Sequence, residues 1–359
     1  MTIQKPNIDV SFKQRAFSFI QRSARGNVIL IIKDDTDKTF AQKVYKTITE
    51  LEVDKLLYTE TNLQYIKDTL QGGAFKTTVI RIDITDTFTN GLLFAEPLNT
   101  GWIGFADGLP ADYEALATWT KAMKTKKKTF MSIVFKPTSA PNSTNVHVIQ
   151  NEKVIVTDSR GEITGDKYIP SLLGFCAGAN VEKGTTYLAM SNLKSVTMPI
   201  DVDAELKLGK TVLINDEDVV KIALGINSLT TLGEGLTEDF QFIETIEIQN
   251  LMLDDITKEF KTWIGRYKNI YDNQAIFISA INTYFKLLED ANILDKNYDN
   301  KADVDIDTQR KAWITVDPKV VDWSDAKVKN NAFKRQLFLI ANVKMLQSIT
   351  DLKFIINMQ

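Results

Sequence analysis

The 359-residue sequence predicts an α/β fold that gives way to α+β in its C-terminal part. Three observations predict it. Strand-like and helix-like segments alternate from residue 27 to about residue 136, the rhythm of a layered domain with a largely parallel sheet. From residue 201 the order changes to a hairpin followed by two long amphipathic helices. Near both ends, short segments alternate apolar and polar residues with period two, the mark of a strand with one buried face.

Residues 1–24 read as an arm with a linker strand, in which Ile8, Val10 and Phe12 alternate with Asn7, Asp9 and Ser11. Residues 1–25 carry Lys5, Lys13, Arg15, Arg22 and Arg25 against the single acid Asp9, a net of +4. "VILII" (28–32) is a strand, and "DKTFAQKVYKTI" (37–48) reads as helix. "TETNLQYIKDTLQGG" has a Thr cap, helical spacing of Leu63, Ile66 and Leu70, and Gly72 as a stop. "KTTVIRID" and "TGWIGFAD" are strands, and "PADYEALATWTKAMKTKKK" is a helix with Pro110 in its first turn. After the strand "TFMSIVFK", "NVHVIQNEKVIVTD" predicts a hairpin turning at Asn151-Glu152, with His147 facing outward between Val146 and Val148. "IPSLLGFCAGAN" is an apolar helix packed closely through its small residues. An α/β domain is expected over 25–190.

Residues 191–350 form the second part. Its hairpin, "TVLIND" and "DVVKIALG", turns through acidic residues. Ile243, Ile246, Leu253, Ile256, Phe260 and Trp263 mark one helix over about 238–265, and "NQAIFISAINTYFKLLEDANIL" marks a second. "NYDNKADVDIDTQ" reads as an acidic surface loop, and residues 333–359 as one or two strands. In the last strand, 351–359, Leu352, Phe354, Ile356 and Met358 fall on one side, and Lys353, Ile355, Asn357 and Gln359 on the other. An unpaired edge strand is a hazard that proteins avoid unless they use it. Such a strand pairs either within its own chain or, by β-augmentation, with a neighbour.

Chemistry is sparse. The net charge of −3 provides no field to steer the chain to nucleic acid or membrane. No apolar run is long enough to span a bilayer, and "MTIQKPNIDV" lacks the apolar stretch of a signal peptide. Cys176 and His147 are the only residues of their kinds, so disulfide and His-cluster chemistry are not expected. "LGKT" (208–211) has Ala204 where a phosphate loop needs glycine, and it leads into a strand. Asp295, Asn297 and Asp299 open a calcium-like loop, but Asn300 and Ile306 replace its glycine and its bidentate glutamate. The basic run 121–128 closes a helix, where cations offset the dipole. No catalytic, metal or cofactor residue is therefore expected. Plentiful carboxylates keep a soluble α/β enzyme or ligand-binding protein as the alternative, and a different self-assembling component, such as a tube or capsid protein, as another.

"SFKQRAFSFIQRSARGNVILIIKD" (11–34) resembles the start of the compact tail sheath proteins of Gram-positive contractile-tailed phages and phage-tail-like bacteriocins. "GINSLTTL" (225–232), the two long helices and the alternating last strand are similar to that family in order and spacing. Leu224 stands where many relatives carry a basic residue. The resemblance implies a structural, non-enzymatic subunit without cofactor, six to a ring, in stacked rings around an inner tail tube. It implies an outer domain at 25–190, a tube-proximal sheath domain at 191–350, and arms whose apolar residues Ile8, Val10, Phe12, Leu352, Phe354, Ile356 and Met358 insert as strands into neighbours. The implied partners are further copies of the chain, the tube protein, and baseplate and tail terminator proteins, with no nucleic acid and no membrane insertion. The implied location is a virion tail or bacteriocin particle, assembled in the host cytoplasm. Residues 327–353 carry six basic residues against Asp351, a net of +5, and Lys329, Lys334 and Arg335 are expected to face the tube.

Overall fold

The computed structural model describes residues 20–22 and 25–356. Contacts divide these into two units, one of residues 25–254 with 345–356 and one of residues 255–344 with 20–22.

Along the larger unit come β1 (Asn27–Lys33), β2 (Gln42–Tyr45), α1 (Ile48–Val53), α2 (Glu60–Gln71), β3 (Lys76–Ile82), α3 (Phe88–Ala95), β4 (Thr100–Gly104), α4 (Pro110–Thr125), β5 (Thr129–Phe135) and β6 (Val146–Ile149). There follow β7 (Lys153–Val156), β8 (Glu162–Thr164), α5 (Ile169–Lys183), β9 (Leu193–Val196), α6 (Val202–Lys207), β10 (Lys210–Thr211), β11 (Leu213–Asp216), β12 (Val219–Ile222) and α7 (Ile243–Trp263). A seven-stranded sheet in the order β10-β6-β5-β4-β1-β3-β2 is parallel except at β2. Val28 to Ile32 are all buried, because helices cover both faces of a parallel sheet. Thr59 caps α2 by accepting from the Asn62 amide, and Asp34 at the end of β1 accepts from the Thr59 amide at 2.9 Å. The strand thereby sets where the helix starts. The small residues of α5 bring it against α2: a Cβ at Gly178 would stand 2.8 Å from the Gly72 carbonyl oxygen.

Several expectations are corrected here. Residues 42–45 are strand, not helix: Phe40, Val44 and Ile48 fit helical spacing, but pairing of Gln42–Tyr45 with Thr77–Ile80 overrides it. The hairpin at Asn151-Glu152 does not form. β6 lies between β5 and β10, while β7 joins a separate sheet, β8-β7-β9. Asn151 fixes this divergence, since its amide donates to the Thr197 and Leu213 carbonyls and accepts from the Leu213 amide. His147 faces inward and is 2% exposed, because β6 is buried on both faces. The stretch 88–95, to which the sequence assigned no element, is α3, and its Phe88 stacks on Phe105 at 3.8 Å. The acidic hairpin β11–β12 forms as expected, with Glu217 at φ 53° in its turn. By contacts the larger unit runs on to residue 254, with β10 entering the large sheet and β9 pairing with β7.

The smaller unit holds the end of α7, α8 (Tyr271–Asp290), β13 (Lys301–Val304), α9 (Ile306–Ile314), α10 (Asp325–Asn330) and β14 (Leu339–Asn342). Phe277, Ile281, Tyr284, Phe285 and Leu288 bury one face of α8, and the Tyr284 hydroxyl donates to Asp255 at 2.8 Å. The expected loop 297–309 instead contains β13, antiparallel to β14, with Ala302 and Val304 buried. Its acids Asp303 and Asp305 alternate with apolar residues, and that alternation is the strand.

Candidate assembly surfaces

The C-terminal segment leaves the larger unit after two polar ties. Ser348 donates its amide and its hydroxyl to the Glu244 carboxylate, at 3.2 and 2.9 Å, and the Gln347 amide group donates to Asp239 at 2.7 Å. Residues 351–356 then lie in no strand and are exposed. Leu352 is 87% exposed, Phe354 74%, Ile355 69% and Ile356 70%. Met358 lies outside the described residues, as do Ile8, Val10 and Phe12.

The two-stranded sheet of the smaller unit has unlike edges. Asn282 on α8 accepts from the Ala302 amide at 2.7 Å and donates to the Ala302 carbonyl at 3.2 Å. Its side chain thus closes the outer edge of β13. On β14 the groups facing β13 belong to Ile340 and Asn342, flanked by the Phe338 carbonyl and the Lys344 amide, which bond to Asp305 and Asn300. Residues 339, 341 and 343 therefore point their backbone groups the other way, and among the described residues no strand lies there.

The structure brings Lys334 and Arg335 together and sets Lys329 apart. Lys334, at φ 43°, and Arg335 occupy an exposed turn pinned by Asn269, whose side chain donates to the Gln336 carbonyl at 2.9 Å. The turn forms the rim of a groove of about 500 Å³ lined by Phe260, Trp263, Ile264, Tyr267 and Phe277, with Lys268 also at its edge. Trp263 packs against Tyr267 at 4.1 Å and Phe277 at 5.2 Å. Lys329 instead pairs with Asp303 at 2.6 Å. That bond holds the Lys329 ammonium above its ordinary pKa; on Asp303 burial pulls upward most strongly, but the Lys329 bond, the Val304 amide and the nearby lysine charges together outweigh it and hold the carboxyl below its ordinary value.

Sequence reasoning missed a buried charge cluster in the larger unit. The Arg25 guanidinium donates to Asp254 at 2.5 Å and to Glu247 at 2.7 Å. Glu247 also accepts from the Trp102 indole at 2.7 Å, and Asp254 from the Thr129 hydroxyl at 2.7 Å. Burial works against the Arg25 charge, but the two carboxylates outweigh it and raise its pKa. The available signal was Glu247 set between Ile246 and Ile248 on an apolar face. Trp102 also packs on His147 at 4.9 Å, and burial lowers the pKa of that imidazole to about 4. Among the described residues no three His, Cys, Asp or Glu side chains are grouped to hold a metal, and no helix is long and apolar enough to cross a membrane.

Residues 236–359 match the phage tail sheath C-terminal domain. The chain is 27% identical over 369 residues to the tail sheath protein of Clostridium phage phiCD119, covering 98% of this chain and 99% of that protein. Its fold is similar to the crystal structure of a sheath tail protein from Desulfitobacterium hafniense, with TM-score 0.70 and 13% identity over 83% of this chain and 94% of that one. It is similar also to the contracted helical sheath of the anti-feeding prophage, with TM-score 0.69 and 12% identity over 98% and 99% of the two chains.

Proposed function

We infer that this chain is a tail sheath subunit of a contractile injection system. The observation that carries the reading is the exposed apolar segment Leu352–Ile356 at the end of a sheath-type C-terminal domain. A free subunit gains nothing from four large apolar side chains in water. A lattice gains their burial, at roughly 1.5–3 kcal/mol for each side chain fully covered.

The segment adds as a strand to a neighbour, and the edge that suits it is that of β14, since Asn282 occupies the edge of β13. The N-terminal arm, with Ile8, Val10 and Phe12, makes a second link. Two links per subunit give an open mesh, here stacked rings of six around a tube. The sheath's role is structural: the subunits move between an extended and a denser packing, and the free-energy gap between the two drives the tube through the target envelope without a catalytic step. The compact bodies move as the outer and tube-proximal parts, and the arms keep them joined. Lys334 and Arg335, with Lys268, present positive charge beside an aromatic groove and face an acidic tube surface. Lys329, neutralised by Asp303, is the weakest of the three expected tube contacts. Baseplate and tail terminator proteins bind the two ends. Assembly takes place in the host cytoplasm, and the product is a virion tail or a related particle.

Negative-stain microscopy of the purified chain tests the reading, and hollow ridged cylinders are expected. Deleting residues 351–359 leaves a folded subunit that builds none. A deletion variant that unfolds would place the strand at home in its own chain and overturn the mesh.

A further inference from the structure

We propose that the Glu244–Asp254 stretch of α7 is a common anchor for both arms, with Glu247 and Asp254 holding the root of the N-terminal arm and Glu244 the root of the C-terminal one. The arms' role rests on the sheath reading, but the anchoring contacts belong to the larger unit alone.

Arg25 stands directly after the arm residues. Its side chain is only 11% exposed, and each half of the guanidinium grips a different carboxylate. Both acids are themselves held, Glu247 by Trp102 of β4 and Asp254 by Thr129 of β5. A guanidinium bonded to two fixed carboxylates is the strong form of a charged hydrogen bond. At the other end, Ser348 is the last residue tied to the body by an amide and a hydroxyl, and Ile349 beyond it is exposed. Gly184, at φ +64°, makes room for this tie, since a Cβ there would stand 3.3 Å from the Ser348 oxygen.

The three acids are spaced by three and seven residues, which places them along one side of the helix. Ten residues of helix span about 15 Å. The two roots therefore meet on one short length of helix, which Trp102 of β4 and Thr129 of β5 brace. The two roots differ in strength: the N-terminal one is buried and doubly charged, whereas the C-terminal one is exposed and uses neutral donors. The C-terminal root yields first.

The test uses the full chain with Glu244→Ala, Glu244→Gln and Arg25→Lys, each checked for a wild-type melting curve. Hydrogen exchange over residues 345–350 of the unassembled subunit is expected to quicken about tenfold in Glu244→Ala. Glu244→Gln keeps an acceptor oxygen and restores most of the protection, and Arg25→Lys leaves this stretch unchanged. Glu244→Ala sleeves form but fragment on contraction. Ser348→Pro removes both donors from an exposed segment and repeats the result without touching α7. Unchanged exchange in Glu244→Ala, or its sleeves contracting to full wild-type length, overturns the anchor. If the wild-type chain builds no sleeve, the sheath reading falls, and the exchange data alone decide the anchor.

Discussion

Replacing Phe354 by alanine separates assembly from folding. In the subunit the ring is 74% exposed, so about three quarters of its burial energy is still to be gained. Fully burying such a side chain contributes roughly 1.5–3 kcal/mol, so the substitution removes about 1–2 kcal/mol from each arm link. That corresponds to roughly 5–30-fold in an equilibrium constant. The concentration at which sleeves form, followed by sedimentation and negative stain, rises by this factor, while the melting temperature of the unassembled subunit stays within about a degree. Ile355→Ala is the internal control. Ile355 is 69% exposed in the subunit but falls on the opposite side once the segment pairs as a strand, so its loss costs assembly much less. Equal effects from the two variants would refute the one-faced strand. A fall of several degrees in melting temperature for Phe354→Ala would show that the ring is already buried in its own chain.

Three further outcomes are expected. Lys334→Glu with Arg335→Glu leaves the fold intact, because both side chains project from an exposed turn, yet gives tubes without sheath; normal extended tails from this variant sink the tube-facing assignment. Ala341→Pro removes a backbone donor from the open edge of β14, which proline tolerates there, so stability changes little and strand addition fails; assembly at the wild-type concentration would show that arms do not join at β14. His147 is buried with its pKa lowered to about 4, so the unfolded chain binds the proton more readily between that value and about 6.5. Its contribution is complete above that window and is lost as pH falls through it, by about 3 kcal/mol in total; melting curves of His147→Gln from pH 7 to 4 should lose this slope, and an unchanged slope assigns it to other groups.

Much of the local structure was legible in the sequence. Thr59, Gly72 and the spacing of Leu63, Ile66 and Leu70 specify α2, and the acidic turn specifies β11–β12. The alternation at 351–356 predicts a strand with one buried face, whereas in the subunit these residues lie in no strand and their apolar side chains are exposed. These features depend on backbone periods and caps, which neighbouring residues determine among themselves. Only the tertiary structure decided which strand meets which. It turned His147 inward, made residues 42–45 a strand, sent β6 and β7 into different sheets, and closed one edge of the β13–β14 pair with Asn282. It also joined Arg25 to Asp254 across 229 residues of sequence. Periodicity shows that a segment has an apolar face. What covers that face is set by groups far away in the chain, and pairing, burial and charge are settled only where those groups meet.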